Sequence, residues 1–223
     1  MKLVFASNNA HKLDEVRAIM PEGVEVLSLR EIGFDAEIEE NGVTLEQNSE
    51  IKARAVYQFI KGTHAEVALA GEIDGVFADD TGLEIDALDG RPGVYTARWY
   101  RMNDGNEANE AKDERDIFAA NRAKALRELE GKENRGAQFR TVITLLMMKD
   151  SALLHDGMMQ VEGVVRGRIA TEEYGQGGFG YDPVFIPEEY DKTFGELPAA
   201  LKNTISHRAR AIAALVEKLP RVA

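Results

Sequence analysis

The sequence contains no cysteine. Disulfides, a thiolate nucleophile and Cys-ligated zinc are therefore all excluded. It also has no apolar run approaching the ~20 residues that cross a bilayer. The opening "MKLVFASNN" turns polar after "LVFA", too short for the apolar core of a signal peptide. A cytoplasmic protein is expected. Positive charge is scarce: 27 Lys and Arg face 39 Asp and Glu, a formal charge of −12. A field of that sign disfavours DNA, RNA and anionic membrane, so neither nucleic acid nor membrane is expected as a partner. A small anionic ligand is compatible with it only in a pocket lined by cations or bridged by a metal. No repeat, low-complexity tract or linker interrupts the chain.

What is present is an ordinary globular composition. Over 223 residues, 44% are apolar and 30% charged, enough for one large domain or two lobes sharing a core. "KLVFAS" reads as a buried strand over residues 2–7, and "NNAHKLDEVRAIM" as a helix with Leu13, Val16 and Met20 on one face. A strand, a polar turn and a helix predict an α/β fold. "VEVLSL" predicts a second strand. "EIEENGVTLEQNSEIKARAVYQFI" predicts an acidic loop and a helix with Ile51, Ala55 and Phe59 at four-residue spacing. A strand through "VFADD" follows, ending at the two aspartates. The charged stretch from Asn106 to Gly131 predicts a helix, "FRTVITLLMM" and "MMQVEGVVRGRIA" predict strands, and "SHRARAIAALVEKL" predicts the closing helix.

Several stretches carry chemistry. Asp79 and Asp80 place adjacent carboxylates at an expected strand end, with Gly82 free to turn the chain. The pair is either a solvated turn or a seat for a hard cation such as Mg²⁺, which takes one or two carboxylates plus waters and phosphates. An Asp-x-Asp-x-Thr phosphatase motif is absent. In "ASNNAHK", Asn8 or Asn9 can cap the first helix. Lys12 then sits in the first helical turn, where a cation opposes the helix dipole and a bound phosphate would account for it. No G-x-x-x-x-G-K-[ST] loop is present. Glu39 and Glu40 precede Asn41-Gly42 in an acidic turn, and Asn48 and Lys52 share a helical face.

Gly175, Gly177 and Gly180 match G-x-G-x-x-G, but no strand precedes them and Pro183 prevents the helix a dinucleotide site requires. Phe179 and Tyr181 are interleaved with these glycines. Glycine lets backbone approach a flat ligand and an aromatic offers a stacking face, so the loop reads as base-binding, with Asp182 as an acceptor. Ser206 is an N-cap for the last helix, which puts His207 and Arg208 on its first turn.

Six motifs, "ASNNAHK", "EENGVTLEQNSEIKA", "FADDTGL", "GRPGVYTARW", "GQGGFGYDPVF" and "LKNTISHRARA", occur in this order across nearly the whole chain. Together they resemble the inosine triphosphate pyrophosphatase family. The resemblance implies a single two-lobed domain over residues 1–223. Its fold would be α/β, with a long mixed central sheet and a cleft between the lobes, and it would form a homodimer. It implies hydrolysis of ITP, dITP or XTP between the α and β phosphates, with Mg²⁺ as cofactor. Carried over by motif, Asn9, Lys12 and Lys52 become triphosphate contacts, and Ser7 and Thr81 further substrate-binding residues. Glu40 and Asp80 become Mg²⁺ ligands, with Asp80 also the base. Lys12 and Lys52 assist catalysis. Phe179 becomes the stacking aromatic, Asp182, Lys202, His207 and Arg208 the base-recognition set, and Gly180 and Tyr181 further substrate-binding residues. The family usually has Glu-Asn-Ala where this chain has Gln47-Asn48-Ser49, and residues 62–75 are longer than the family pattern, which suggests an extra hairpin. Two rival readings are a non-catalytic nucleotide sensor and an enzyme of the same fold acting on another modified nucleotide. The retained carboxylates favour catalysis.

Overall fold

The computed structural model describes residues 1–62, 72–102, 113–148 and 157–219. The hairpin expected near residues 62–75 falls mainly on 63–71, outside the described residues, as does the start of the charged helix at Asn106. The elements are β1 (Lys2–Phe5), α1 (Ala10–Ile19), β2 (Glu25–Leu27), α2 (Leu45–Gly62), β3 (Gly75–Ile85), β4 (Pro92–Gly93), α3 (Glu114–Glu128), β5 (Gly136–Met147), β6 (Met158–Ile169), β7 (Phe185–Pro187), α4 (Ala199–Ile205) and α5 (His207–Lys218). Among the described residues the strands form one mixed sheet in the order β2-β1-β3-β5-β6-β7, with β4 paired to β3. β1 runs parallel to β2 and β3, whereas β3–β4 and β6–β7 are antiparallel. This is the mixed α/β class that the sequence predicts.

The chain divides into two compact units. The first is Met1–Asp80, Thr141–Gly163 and Arg208–Ala223; the second is Thr81–Arg140 and Val164–His207. In the first unit, strand alternation sorts the core onto two faces. Leu3 and Phe5 of β1 and Phe77 of β3 pack with Val16 of α1 and Ala211, Ile212 and Leu215 of α5. Val4, Ala6, Val76 and Ala78 pack on the opposite face with Ala53, Val56 and Ile60 of α2. The register Val4↔Val76 and Phe5↔Phe77 keeps like with like, and the Phe5 and Phe77 rings stack at 4.9 Å. The second unit has its own core. Trp99, Leu129, Phe139, Tyr181, Phe185 and Phe194 dominate it, with Leu83 and Ile85 from β3.

Three expectations change. β3 does not end at the aspartates: it runs on to Ile85, and Gly82 is a buried strand residue, not a turn. The buried face of α2 is Leu45, Asn48, Ser49, Lys52, Ala53, Val56 and Ile60, while Ile51, Ala55 and Phe59 are only half-buried. Polar residues occupy part of the inward stripe, so apolar spacing alone selected the neighbouring one. Finally, α4 is an extra short helix just before α5; Ser206 closes it in an extended conformation (φ −67°, ψ 161°) and directly precedes His207, the first residue of α5. The helix after residue 113 ends as expected, with Gly131 in the left-handed region at φ 72°.

Close backbone approach fixes one glycine of the β6–β7 pair. A Cβ on Gly167 would lie 2.3 Å from the Ile186 carbonyl oxygen and 2.7 Å from the Phe185 ring, whereas one on Gly62 would meet nothing within 4 Å among the described residues. Gly167→Ala should therefore destabilise by ~1–3 kcal/mol, and Gly62→Ala at the end of α2 should be neutral or stabilising by up to ~1 kcal/mol. Urea unfolding of the two variants checks the contrast.

Candidate functional site

In the first unit the site is built on a pair of residues in the middle of a strand. Successive side chains of β3 point to opposite faces, so Asp79 and Asp80 are directed apart. Asp79 follows Phe77 onto the α1/α5 face. There Lys12 Nζ of α1 donates to its Oδ1 at 2.9 Å, and Arg208 Nε of α5 donates to its Oδ2 at 3.1 Å. Arg208 Nη1 also donates to Glu15 of α1. Asp79 and Arg208 are each 1% exposed. Burial alone would raise the Asp79 carboxyl, but the charges of Lys12 and Arg208 win and hold it well below the usual carboxylate range.

Local sequence places these groups. Asn9 caps α1, its side-chain oxygen accepting the Lys12 N–H at 3.0 Å, and Ser7 Oγ accepts the Asn9 N–H at 3.3 Å. Of the two candidate caps, Asn9 is the one used. Lys12 in the first helical turn opposes the dipole, and the buried Asp79 carboxylate compensates it.

Asp80 follows Val76 and Ala78 onto the α2 face. Its Oδ1 accepts from Lys52 Nζ at 3.1 Å, and the same ammonium lies 2.5 Å from Glu40 Oε2. Burial raises the Asp80 carboxyl, an effect Lys52 only partly offsets. For Lys52 burial pulls down, yet the carboxylates of Asp80, Glu40 and Asp79 raise it overall, so it stays a cation. Asp80 Oδ2 is buried without a hydrogen-bond partner. An orphaned buried acceptor costs ~1–3 kcal/mol. Two hard oxygen donors, one with an unused lone pair, suit Mg²⁺. Among the described residues no cluster of three or more His, Asp or Glu could hold a metal. A cation here would complete its shell with water and phosphate.

Polar residues of α2 hold this arrangement. Thr44 Oγ1 accepts the Gln47 N–H at 3.2 Å, and Gln47 Oε1 accepts the Val43 N–H at 2.8 Å, close to a capping box. The Glu-to-Gln departure thus falls on a capping position that either residue can fill. Ser49 is fully buried: its hydroxyl donates to the Ala78 carbonyl at 2.9 Å and accepts the Thr144 N–H at 2.9 Å, one residue from Asp79.

In the second unit the glycine-rich loop is a folded turn. Asp182 Oδ2 accepts the Phe179 N–H at 2.8 Å and pairs with Lys202 Nζ of α4 at 2.5 Å, with both side chains 5% exposed. Lys202 Nζ also lies 5.0 Å from the Phe179 ring centroid and 5.8 Å from that of Phe194. Gly178 has φ 69°, and a Cβ there would sit 1.9 Å from Asp182 Oδ2. Arg122 of α3 donates to the Gly180 carbonyl at 2.9 Å and lies 3.0 Å from Glu173 Oε1. Phe118 packs against Phe179, ring centroids 6.0 Å apart. A three-residue 3₁₀ turn and β7 follow, which excludes a dinucleotide-type helix.

Each expected site residue thus has a location. Lys12 joins Asp79 and Arg208; Lys52 joins Glu40 and Asp80; Phe179, Asp182 and Lys202 form the loop cluster. Thr81 is a half-buried β3 residue next to Asp80. Tyr181 is a core residue, 4% exposed, with its hydroxyl on the Thr96 carbonyl at 3.1 Å. His207 is 5% exposed and stacks on Phe139 at 4.7 Å. His207 and Arg208 are therefore both buried on the first turn of α5. The sequence reading missed Glu15, Ser49 and Arg122. Glu15 lies one turn beyond Lys12 on α1, which was a usable signal; the other two show none without the fold.

The chain matches the model of the Ham1 family over residues 3–218. It is 42% identical over 220 residues to a dITP/XTP pyrophosphatase of Flavobacterium johnsoniae, covering 98% of each chain. It is also 42% identical over 219 residues to a dITP/XTP pyrophosphatase of Bacillus subtilis, covering 97% of this chain and 96% of that one. Among solved structures, the Staphylococcus aureus Ham1 protein superposes with a TM-score of 0.72 at 33% identity, covering 96% of each chain.

The two aspartates should differ sharply in what they contribute to stability. Asp79→Asn leaves the buried Arg208 and the half-buried Lys12 short of a carboxylate and should cost ~3–5 kcal/mol at pH 7. Asp80→Asn removes a carboxylate that burial already disfavours, and should stay within ~1 kcal/mol of wild type. The sign with pH follows from the depressed folded value of Asp79. Its contribution is complete above its unfolded value near ~3.9 and is lost as pH falls through the lower folded one. The acid limb of the stability curve should therefore be flatter in Asp79→Asn below about pH 4. Denaturant unfolding across pH measures both.

Proposed function

Because the chain belongs to the Ham1 family, we propose that it hydrolyses non-standard purine nucleoside triphosphates, ITP, dITP and XTP, to the monophosphate and pyrophosphate. The observation that carries the reading is Asp80. It is a buried carboxylate with a raised proton affinity and one unpartnered oxygen, set against Lys52 and Glu40. A nucleotide pool is cytoplasmic, and we assign the enzyme to that compartment as a homodimer on family resemblance. On the same resemblance residues 1–223 form one catalytic domain.

Phosphoryl transfer needs positioning and neutralisation of charge more than covalent chemistry. Lys12 and Lys52 supply positive charge toward the phosphates, and Ser7, Asn9 and Thr81 supply polar contacts. Asp80 orients the attacking water and accepts its proton, a task for which a carboxyl raised by burial is suited. Glu40 and Asp80 are the residues that would hold Mg²⁺, which when bound polarises the phosphate and lowers the proton affinity of water. Attack at the α-phosphorus breaks the bond to the bridging oxygen, and pyrophosphate leaves.

Phe179 and the Gly180 backbone are assigned to the base, with Tyr181 fixing the loop from below and His207 as a further contact. Hypoxanthine and xanthine carry an acceptor oxygen at position 6 where adenine carries an amino donor. Lys202 and Arg208 are the proposed donors, with Asp182 holding Lys202. Each donor left unpaired against adenine costs ~1–3 kcal/mol, about 5–150-fold in rate. For Arg208 the role is shared, since its Nε and Nη1 already meet Asp79 and Glu15.

A pyrophosphate-release assay with Mg²⁺ over ITP, dITP, XTP, GTP, ATP and dUTP tests the assignment. ITP, dITP and XTP should exceed ATP by at least ~100-fold in kcat/KM, and Asp80→Asn should abolish turnover in a folded protein. Equal rates on ATP and ITP, or an active Asp80→Asn enzyme, would overturn it. Arg208→Ala should lower the ITP/ATP ratio. Glu15→Gln, which touches the same guanidinium away from any base, should lower stability without moving that ratio.

A further inference from the structure

Four buried side-chain atoms among the described residues have no hydrogen-bond partner: Asn48 Nδ2, Asp80 Oδ2, Arg122 Nε and Glu128 Oε1. Two are charge-paired all the same. Arg122 Nε lies 3.0 Å from Glu173, and Glu128 Oε1 lies 3.1 Å from Lys124 Nζ. The remaining two, one donor and one acceptor, belong to residues associated with Lys52. Asp80 meets Lys52 through its other oxygen, and Asn48 stands one turn before Lys52 on the same buried face of α2.

The orientation of Asn48 is fixed by its surroundings. The Gly42 N–H donates to its Oδ1 at 2.8 Å. A backbone donor requires an acceptor, so the amide oxygen must lie on that side and the NH₂ on the other. Position 42 leaves no slack, since a Cβ there would lie 2.6 Å from Asn48 Oδ1 and 2.8 Å from Gln47 Cβ. The carboxamide is thus clamped along its acceptor edge and 1% exposed, while its buried donor edge has no hydrogen-bond partner. Buried polar groups are paired as a rule, and an exception beside a charged cluster points to a ligand.

We propose that Asn48 is a further substrate-binding residue, whose Nδ2 donates to a non-bridging phosphate oxygen of the bound triphosphate. The proposal rests on the pyrophosphohydrolase reading above. A neutral donor suits this position. It adds a directed hydrogen bond without changing the balance of Lys52 against Glu40 and Asp80. Its acceptor edge meanwhile ties the 40–42 segment to α2 and keeps Glu40 within 2.5 Å of Lys52.

Substitutions at Asn48 separate the two edges. Asn48→Asp keeps an acceptor for Gly42 and removes the donor; Asn48→Ala removes both. Calorimetric titration of the full chain with Mg²⁺-pyrophosphate should show binding weakened at least ~10-fold in both. Only Asn48→Ala should lose several degrees of melting temperature. In the wild-type protein, the side-chain NH₂ resonance that shows a nuclear Overhauser contact to the Gly42 amide should shift on adding Mg²⁺-pyrophosphate. That readout does not depend on any variant folding. Unchanged affinity in a folded Asn48→Asp protein, or an unmoved Asn48 resonance in a pyrophosphate-bound wild type, removes the assignment while leaving the enzymatic reading intact. A wild type that releases pyrophosphate from no nucleotide overturns both.

Discussion

The pleat of β3 is the constraint on which the first unit depends. Two adjacent aspartates would repel if they shared a face. Alternation sends Asp79 toward α1 and α5 and Asp80 toward α2, and each meets its own cation. The same alternation partitions the apolar residues of β1 and β3 between the two cores. A one-residue slip of β3 would exchange the aspartates and bury every charge against the wrong helix. Hydrophobic register and site geometry are therefore specified together. The two carboxylates also acquire opposite characters from the same sequence dipeptide. Asp79 is locked as an anion between a lysine and an arginine, and Asp80 is kept more basic by burial.

The second unit uses different means. Its loop is held by one carboxylate with several duties. Asp182 accepts the Phe179 amide, pairs with Lys202 and leaves no room for a side chain at Gly178. Gly175 is similarly enforced, because a Cβ there would lie 2.2 Å from the Gly195 backbone. The glycines thus permit tight packing of the loop on its own unit. Flexibility, the first property a glycine cluster suggests, is not what they provide here. Phe179 remains half-buried, framed by Phe118 and the Lys202 ammonium.

Much of this was legible in the sequence. The strand and helix order, the closing helix and the rejection of a dinucleotide fold all followed from period and punctuation. The candidate site residues come from six short motifs that coincide, and the structure gives each of them a location. Their partners were not legible. Asp79 and Arg208 are 129 residues apart, and nothing local in either announces the other. The strand was expected to stop at Asp79 because charge is depleted in strands. It continues because helices on both faces supply compensating cations, a tertiary override of a local rule. The inward face of α2 was misread for a related reason. Asn48, Ser49 and Lys52 are polar and buried on the inward face of α2, so apolar spacing alone does not mark that face.

The cations Lys52, Lys202 and Arg208, proposed to meet the substrate, are buried, and Lys12 is nearly so, each in contact with a carboxylate. Their fields act over short range. What a nucleotide encounters from a distance is a chain carrying −12. Beyond a Debye length of ~8 Å at physiological salt, that charge repels an anionic substrate instead of steering it. Diffusional encounter and final binding thus respond to ionic strength in opposite senses. Added salt relaxes the long-range barrier and speeds approach, while it weakens whatever phosphate contacts remain exposed once the substrate has arrived.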